Sequence, residues 1–279
     1  MKVGIVGLGL IGGSLGLDLR SLGYEILGIS RRESTCKLAE ELGVADRASV
    51  NFTLMSEADI IFICTPIAAI KPTVEQLIRH LKLTTIITDV GSVKAPIVEE
   101  ISPLWSNFVG GHPMAGTEEN GINAAQRKLF VDAPYVLTTT ANTPTEAVKT
   151  VESIVRSLGS KIHFCSPQTH DRAVAWISHL PLIISANLIS ACLDESETEV
   201  LELAKNLASS GFRDTSRVGG GNPELGLMIA QNNQQELLKV LLKYRQSLDN
   251  LIGLIEEENW QELEAKLQVT QKERPTFLS

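Results

Sequence analysis

The sequence has no excess of positive charge and no pattern typical of a metal site. Its 279 residues include 25 Lys and Arg against 33 Asp and Glu, a formal net charge of -8. Nucleic acid is therefore not expected as a partner, because binding it needs a basic surface. The four cysteines are isolated, which is typical of reduced thiols in a cytoplasmic protein. Neither H-E-x-x-H nor C-x-x-C occurs, so the sequence predicts metal-free chemistry.

The chain also lacks a long uninterrupted apolar run at its amino terminus. "MKVGIVGLGLIGGSLGLDL" begins like a signal peptide, but its glycines would weaken a helix. Asp18 and Arg20 interrupt the run too early for a membrane span. The stretch therefore predicts a buried strand, a turn and a helix, and no membrane partner is expected.

Residues 1–165 alternate short β-rich runs with helical patterns, which predicts a doubly wound α/β domain of the Rossmann type. The strand candidates are "KVGIVG", "YEILGIS", "DIIFICTP", "TTIITDV", "NFVGGHP", "APYVLTTT" and "KIHFCSP". Residues 166–279 predict an all-helical second domain, with leucines at helical spacing over many turns. Those leucine stripes favour a homodimer formed through the helical domain.

The clearest motif is "GLGLIG", a G-x-G-x-x-G sequence between the first strand and the first helix. Gly7 permits the tight turn, Gly9 lets the backbone approach a pyrophosphate, and Gly12 lets helix and strand pack closely. Leu10 and Ile11 complete the motif at the start of the helix, whose free N–H groups attract phosphate. The motif predicts a dinucleotide site.

The end of the second strand indicates which dinucleotide binds. An NAD site usually has a carboxylate about 20 residues past the glycines, where this chain has Ser30, Arg31 and Arg32. A hydroxyl and two guanidinium groups suit a 2′-phosphate, so the sequence predicts NADP. Glu33 lies close by and leaves NAD open.

Loops after the later strands of such a sheet line the same crevice. Thr65 and Pro66 are candidates for contacts with the cofactor ribose, and Ser92 is a candidate nearer the nicotinamide. An ordinary turn and an ordinary helix cap explain the same residues.

Histidine is the usual base for the proton that leaves with a hydride. Of five histidines, His80 and His163 are expected to be structural, and His170 is expected to cap a helix. His112, which is predicted to lie on a loop at the end of a strand, and His179 remain as candidates for chemistry.

Five motifs, in this order and over nearly the whole chain, resemble the prephenate/arogenate dehydrogenases of tyrosine biosynthesis. They are the glycine motif, "DVGSVK", "GGHPMAGTEENG", "HDRAVAWISHLP" and "FRDTSRVGGGNPEL". The resemblance implies oxidative decarboxylation of a cyclohexadienol that carries a ring carboxylate and a three-carbon side chain.

The resemblance implies a role for each residue of this chain that matches a position in one of the family's motifs. His112 would accept the proton of the ring hydroxyl, and Ser92 would orient that hydroxyl. His179 would contact the substrate, and Arg217 would pair with a substrate carboxylate. Glu118 would gate the site by pairing with Arg217, and Asp214 would shape the pocket.

The compact, NADP-type pattern favours arogenate as the substrate, and prephenate stays open because Glu118 and Asp214 cannot be placed from sequence. A β-hydroxyacid-type dehydrogenase is a second alternative, although such enzymes generally use a lysine where this chain has His179. A non-catalytic NADP-binding protein is a third.

Overall fold

The computed structural model describes residues 1–117 and 119–278. The chain forms two compact units, Met1–Asn233 and Gln234–Ser279. The predicted division between 1–165 and 166–279 marks the change from alternating strands and helices to helices alone. It differs from the boundary between the two compact units and stays a prediction.

Within the described residues, eight strands form one sheet in the order β3-β2-β1-β4-β5-β6-β7-β8. The strands are β1 (Lys2–Val6), β2 (Glu25–Ile29), β3 (Arg47–Ser49), β4 (Ile60–Ile63), β5 (Ile86–Asp89), β6 (Phe108–Pro113), β7 (Pro134–Thr138) and β8 (Lys161–Cys165). All neighbouring pairs are parallel except β6 with β7. The sheet confirms the predicted Rossmann-type α/β fold.

Twelve α-helices surround or follow the sheet in the part of the chain that the structure describes. They are α1 (Leu10–Ser21), α2 (Glu33–Glu41), α3 (Ile67–Leu77), α4 (Ala95–Ile101), α5 (Thr145–Ser157), α6 (Pro167–Val174), α7 (Leu180–Leu193), α8 (Thr198–Leu207), α9 (Ser210–Ser216), α10 (Pro223–Asn232), α11 (Gln234–Glu256) and α12 (Trp260–Glu273). Every described residue after β8 lies in a helix or a connecting segment, which confirms the predicted helical C-terminal region.

The central strands are buried because both faces of the sheet are covered. Ile5, Ile61 and Phe62 are fully buried in two hydrophobic clusters, one on each side of the sheet. This burial explains why the strands read as continuous Ile and Val runs. The chain passes from β1 to β2 and β3 and then returns to place β4 on the other side of β1. That reversal creates a crevice at the carboxyl ends of β1 and β4, where α/β proteins bind ligands.

Helices α6 and α7 are joined by a wide π-helical turn, Ala175–His179, just before Pro181. A wide turn accommodates the missing N–H and the bulky ring of proline better than a regular helix does. By length and composition alone, Pro167–Leu193 is long and apolar enough to cross a membrane, a test that core helices of soluble proteins also pass. The expected absence of a membrane partner stays a prediction.

Two local expectations about the chain were wrong. His112 lies inside β6, paired with Val136 of β7, and not on a loop. His170 does not cap α6, because the Ser166 hydroxyl accepts the cap hydrogen bond from the Thr169 N–H at 3.1 Å.

Candidate active site

The glycine motif folds into an open turn at the amino end of α1. Gly7 has a φ of 104°, a left-handed conformation that favours glycine. A Cβ on Gly7 would lie 2.5 Å from the Cys64 carbonyl oxygen, and one on Gly12 would collide with the carbonyl oxygen of Gly7. A Cβ on Gly9 would meet nothing within 4 Å. No side chain among the described residues caps α1, which begins with the half-buried Leu10 and Ile11. The turn fits a pyrophosphate, because the space beside Gly9 is open and the first N–H groups of a helix have no partner within the helix.

Ser30, Arg31 and Arg32 follow β2 beside this turn. Both arginine side chains are exposed, and Ser30 is half-buried. Neither guanidinium enters an ion pair within residues 1–117 and 119–278. The two guanidinium groups and the Ser30 hydroxyl are therefore available to bind an anionic ligand at the edge of the crevice.

The loops after β4 and β5 supply the next candidates. The Thr65 hydroxyl oxygen is buried and has no hydrogen-bond partner among the described residues, so it has capacity for a ligand. Pro66 is exposed at the start of α3, and Ser92 is half-buried in the loop that leads to α4.

A buried ion pair braces this loop, and sequence reasoning missed it. Lys94 and Asp89 have fully buried side chains and form an ion pair. The Lys94 ammonium also donates to the Gly111 carbonyl at 2.8 Å, and the Asp89 carboxylate accepts from the Gly111 N–H at 3.1 Å. Burial lowers the pKa of Lys94, and the attraction of Asp89 opposes that change. The pair connects the end of β5 to β6 next to His112.

His112 belongs to a second buried polar group that sequence reasoning also missed. Its Nδ1 lies 2.8 Å from Nε2 of His170, and Nδ1 of His170 lies 2.7 Å from Oδ1 of Asp171. Burial lowers the pKa of His112 well below its usual value, and the nearby charges of His170, Lys94 and His179 lower it further. His112 is therefore neutral at neutral pH, as a proton acceptor must be.

His179 ends the π-helical turn and is fully buried. Its Nδ1 lies 3.0 Å from the Asn233 amide nitrogen, whereas its Nε2 has no hydrogen-bond partner in the described part of the chain. Burial lowers the pKa of His179 to about 4, although the charge of Asp171 opposes the change. A neutral imidazole with one unused nitrogen suits contact with a polar ligand.

Two of the remaining candidates, Asp214 and Arg217, lie on or near the turn after α9. Arg217 begins the turn Arg217–Gly220, which packs on α7 through a 2.8 Å hydrogen bond from the Gly219 N–H to the Ser185 hydroxyl. Asp214 is exposed and accepts from the Arg213 guanidinium at 3.3 Å. Glu118 lies outside the described residues.

The glycine turn at the switch point of a parallel sheet, together with a neutral buried histidine at the same edge, is typical of a nucleotide-binding dehydrogenase domain followed by helices. The family models agree with that class. "Prephenate dehydrogenase, nucleotide-binding domain" matches residues 15–164, and "Prephenate dehydrogenase, dimerization domain" matches residues 166–269. The chain belongs to the prephenate/arogenate dehydrogenase family of enzymes.

The proteins similar to this chain include both prephenate dehydrogenases and an arogenate dehydrogenase. Prephenate dehydrogenase of Bacillus subtilis is 32% identical over 93% of this chain and 71% of its own length. The crystal structure of Synechocystis arogenate dehydrogenase is 55% identical, with a TM-score of 0.90, over 99% of this chain and 100% of that one. Prephenate dehydrogenase of Aquifex aeolicus, solved with hydroxyphenyl propionate and NAD+, is 28% identical, with a TM-score of 0.93, over 99% of this chain and 98% of that one.

Proposed function

We propose that the protein oxidises arogenate to tyrosine with NADP+ and releases CO2. The observation that carries the proposal is the 55% identity, over essentially the full length of both chains, to an arogenate dehydrogenase. The buried, neutral His112 at the edge of the crevice supports it, because the reaction needs a proton acceptor beside the nicotinamide.

The residues at the end of β2 support NADP as the cofactor. A 2′-phosphate would meet the Ser30 hydroxyl and the guanidinium groups of Arg31 and Arg32, which suit phosphate in charge and geometry. The pyrophosphate would lie on the turn of Gly7, Gly9 and Gly12 at the amino end of α1. Thr65 and Pro66 would flank the ribose.

Each substrate-binding residue has one task in this proposal. Arg217 pairs with a substrate carboxylate, a task for which a planar guanidinium is well suited. Ser92 orients the ring hydroxyl, and His179 offers its unused Nε2 to the substrate. Glu118 and Asp214 are the acidic candidates for gating the site and for shaping the pocket around the side chain.

The proposed reaction balances without releasing a proton. When bound, the oxidised nicotinamide supplies the acceptor for the hydride of the carbinol carbon. His112 takes the hydroxyl proton as the hydride leaves. The bond to the ring carboxylate breaks, its electron pair makes the ring aromatic, and His112 returns the proton to the phenol oxygen. Aromatisation and loss of CO2 make the reaction effectively irreversible.

Prephenate is the second candidate substrate, and the product would then be 4-hydroxyphenylpyruvate. The similarity to prephenate dehydrogenases of Bacillus subtilis and Aquifex aeolicus favours it. The two substrates differ only in the side chain, which carries an ammonium in one and a keto group in the other, so the same His112 chemistry serves both.

We also propose that the enzyme is a cytoplasmic homodimer. The family model that covers residues 166–269 describes a dimerization domain. The four cysteines are free, as expected for a reducing compartment.

The test is a four-way assay in which purified protein receives arogenate or prephenate, each with NADP+ or NAD+, and formation of reduced nicotinamide is followed. The highest kcat/KM is expected with arogenate and NADP+. His112→Asn serves as the reference for lost chemistry and should lower kcat by roughly two to four powers of ten. Absence of turnover with all four pairs contradicts the proposed function, and a preference for prephenate or NAD+ contradicts that part of it.

A further inference from the structure

We propose that Asp171 and His170 form with His112 a hydrogen-bonded histidine chain that sets the tautomer of His112 and takes up the positive charge when His112 accepts a proton. His170 and Asp171 are positioning residues in this proposal, because they act on the substrate only through His112. The proposal rests on the proposed function for its chemistry, whereas the tautomer can be observed without any substrate.

The order of donors along the chain follows from its carboxylate end. The Asp171 carboxylate accepts hydrogen bonds only, so Nδ1 of His170, 2.7 Å away, carries a hydrogen. In a neutral His170 the other nitrogen, Nε2, then has a lone pair. It faces Nδ1 of His112 at 2.8 Å, so His112 must donate from Nδ1. His112 is left with an unprotonated Nε2, the atom that a base needs.

Asp171 is held firmly enough to define this order. Its Oδ1 accepts from the backbone N–H of Lys94 at 2.7 Å, and its Oδ2 accepts from that of Ala95 at 2.8 Å. Asn233 donates to its backbone carbonyl at 2.9 Å. The two backbone donors therefore hold both carboxylate oxygens in place. They lie at the end of the loop that carries Ser92 and at the start of α4, so they tie α4 to α6 at the site.

The other charged groups around His112 do not replace His170 and Asp171 as its hydrogen-bonded partners. Lys94, just before α4, directs its ammonium to Asp89 of β5 and to the Gly111 carbonyl. His179, from the π-helical turn, uses Nδ1 for Asn233. Among the described residues, His170 alone forms a hydrogen bond to the ring of His112. A cation formed on His112 would therefore lie near Lys94 and be unfavourable unless its charge moved toward Asp171.

The histidine chain lets the positive charge move from His112 toward Asp171. When Nε2 of His112 takes the hydroxyl proton, its Nδ1 proton passes to Nε2 of His170, whose cationic ring then pairs with the Asp171 carboxylate. His112 is neutral again with its proton on Nε2, and the reverse movement returns that proton to the phenol oxygen. No proton is lost, and the charge is next to its counter-ion while the hydride moves. A carboxylate that fixes a histidine tautomer in serine proteases acts by the same principle.

Two substitutions of His170 distinguish a role in the histidine chain from a role in packing alone. In His170→Asn, the shorter amide reproduces the position of Nδ1 and keeps a partner for Asp171, but it does not reach His112. In His170→Gln, the longer amide reproduces the position of Nε2, so its oxygen accepts from Nδ1 of His112 without carrying a proton. His163→Asn is the matched control, because His163 is exposed on β8.

Kinetics and nitrogen-15 NMR of the five histidines together test the proposal. Wild-type protein should show His112 protonated on Nδ1 at neutral pH. His170→Asn should lose that tautomer and about a hundredfold in kcat, the lower range for a disabled general base, with KM for substrate and cofactor changed less than about threefold. His170→Gln should regain the tautomer and part of kcat, and His163→Asn should match wild type.

Two results would overturn the histidine chain. One is a wild-type His112 protonated on Nε2 and not on Nδ1, which is readable even if every His170 variant is unstable. The other is a folded His170→Asn protein with the kcat of wild type. If wild type turned over neither arogenate nor prephenate, the proposed function would fail, and the tautomer measurement would still decide the chain.

Discussion

Arg31 is the residue on which the choice between the two cofactors depends most directly. Its side chain is exposed at the end of β2, beside Arg32 and the Ser30 hydroxyl. A charge-assisted hydrogen bond contributes about 1.5–3 kcal/mol. Arg31→Ala is therefore expected to raise KM for NADP+ by roughly 10- to 100-fold and to leave KM for NAD+ within about twofold. Initial-rate kinetics with both cofactors measures the two values.

Arg156→Ala is the matched control for this substitution. Arg156 is also an exposed arginine, but it lies on α5 and pairs with Glu152 of the same helix. Its removal should leave both Michaelis constants unchanged, since such surface pairs contribute little. If KM for NADP+ did not move in Arg31→Ala, Arg31 would have no part in holding a 2′-phosphate.

Single residues were predictable where the local pattern specified their surroundings. The G-x-G-x-x-G motif predicted the open turn at Gly9, because its spacing carries the geometry of strand, turn and helix. His170 and Asp171 gave no such signal: they are 58 residues or more from His112, and only the packing of α6 brings them to β6. A histidine and an aspartate at the start of a helix resemble an ordinary cap, and sequence alone does not separate a cap from a buried partner.

At the scale of elements, most strands were predictable and the short one was not. The continuous apolar runs identified every strand except β3, which has three residues, Arg47–Ser49, and no apolar pattern. The candidate strand "NFVGGHP" contains His112, but the residue was also assigned to a loop at the end of that strand, because Gly110 and Gly111 resemble a turn. In the structure they are strand residues, and a Cβ on Gly111 would lie 2.6 Å from the Asp89 carbonyl oxygen. Glycine is present there so that β5 and β6 can approach closely.

The pair of Lys94 and Asp89 holds these elements together, and its removal should be costly. Lys94→Met leaves the Asp89 carboxylate buried with, among residues 1–117 and 119–278, only the backbone donors of Gly91 and Gly111. Breaking a buried ion pair by removing one partner costs about 3–5 kcal/mol of unfolding free energy. Urea denaturation of the variant should show a loss of that size, and combining it with Asp89→Asn should recover part of the loss.

Lys149→Met is the control for the buried pair. Lys149 pairs with Glu146 on α5, and both side chains are largely exposed. Its loss should change the unfolding free energy by less than about 1 kcal/mol. A Lys94→Met protein as stable as this control would show that the buried pair does not brace β5 and β6.

At the scale of the whole molecule, the apolar surface requires an explanation. Only 17% of the apolar window within Pro167–Leu193 is buried. In the second compact unit, Gln234–Ser279, α11 exposes Leu238, Leu242, Leu248 and Ile252. Monomers rarely leave so much apolar surface in contact with water, so these faces favour association with a second copy.

Light scattering tests this association directly. At micromolar concentration the wild-type protein should have the mass of a dimer, twice 30.3 kDa. Leu242→Glu places a carboxylate on an apolar face that is 55% exposed in one chain, and burying that charge in an interface would cost several kcal/mol. The variant should therefore shift toward a monomer. Ser247→Glu adds the same charge about 140° around the helix and should remain a dimer. A standard protein interface buries about 1,200–2,000 Å², which faces of this kind can supply. A wild-type monomer at this concentration would contradict the proposed dimer and would mean that the exposed helix faces have another use.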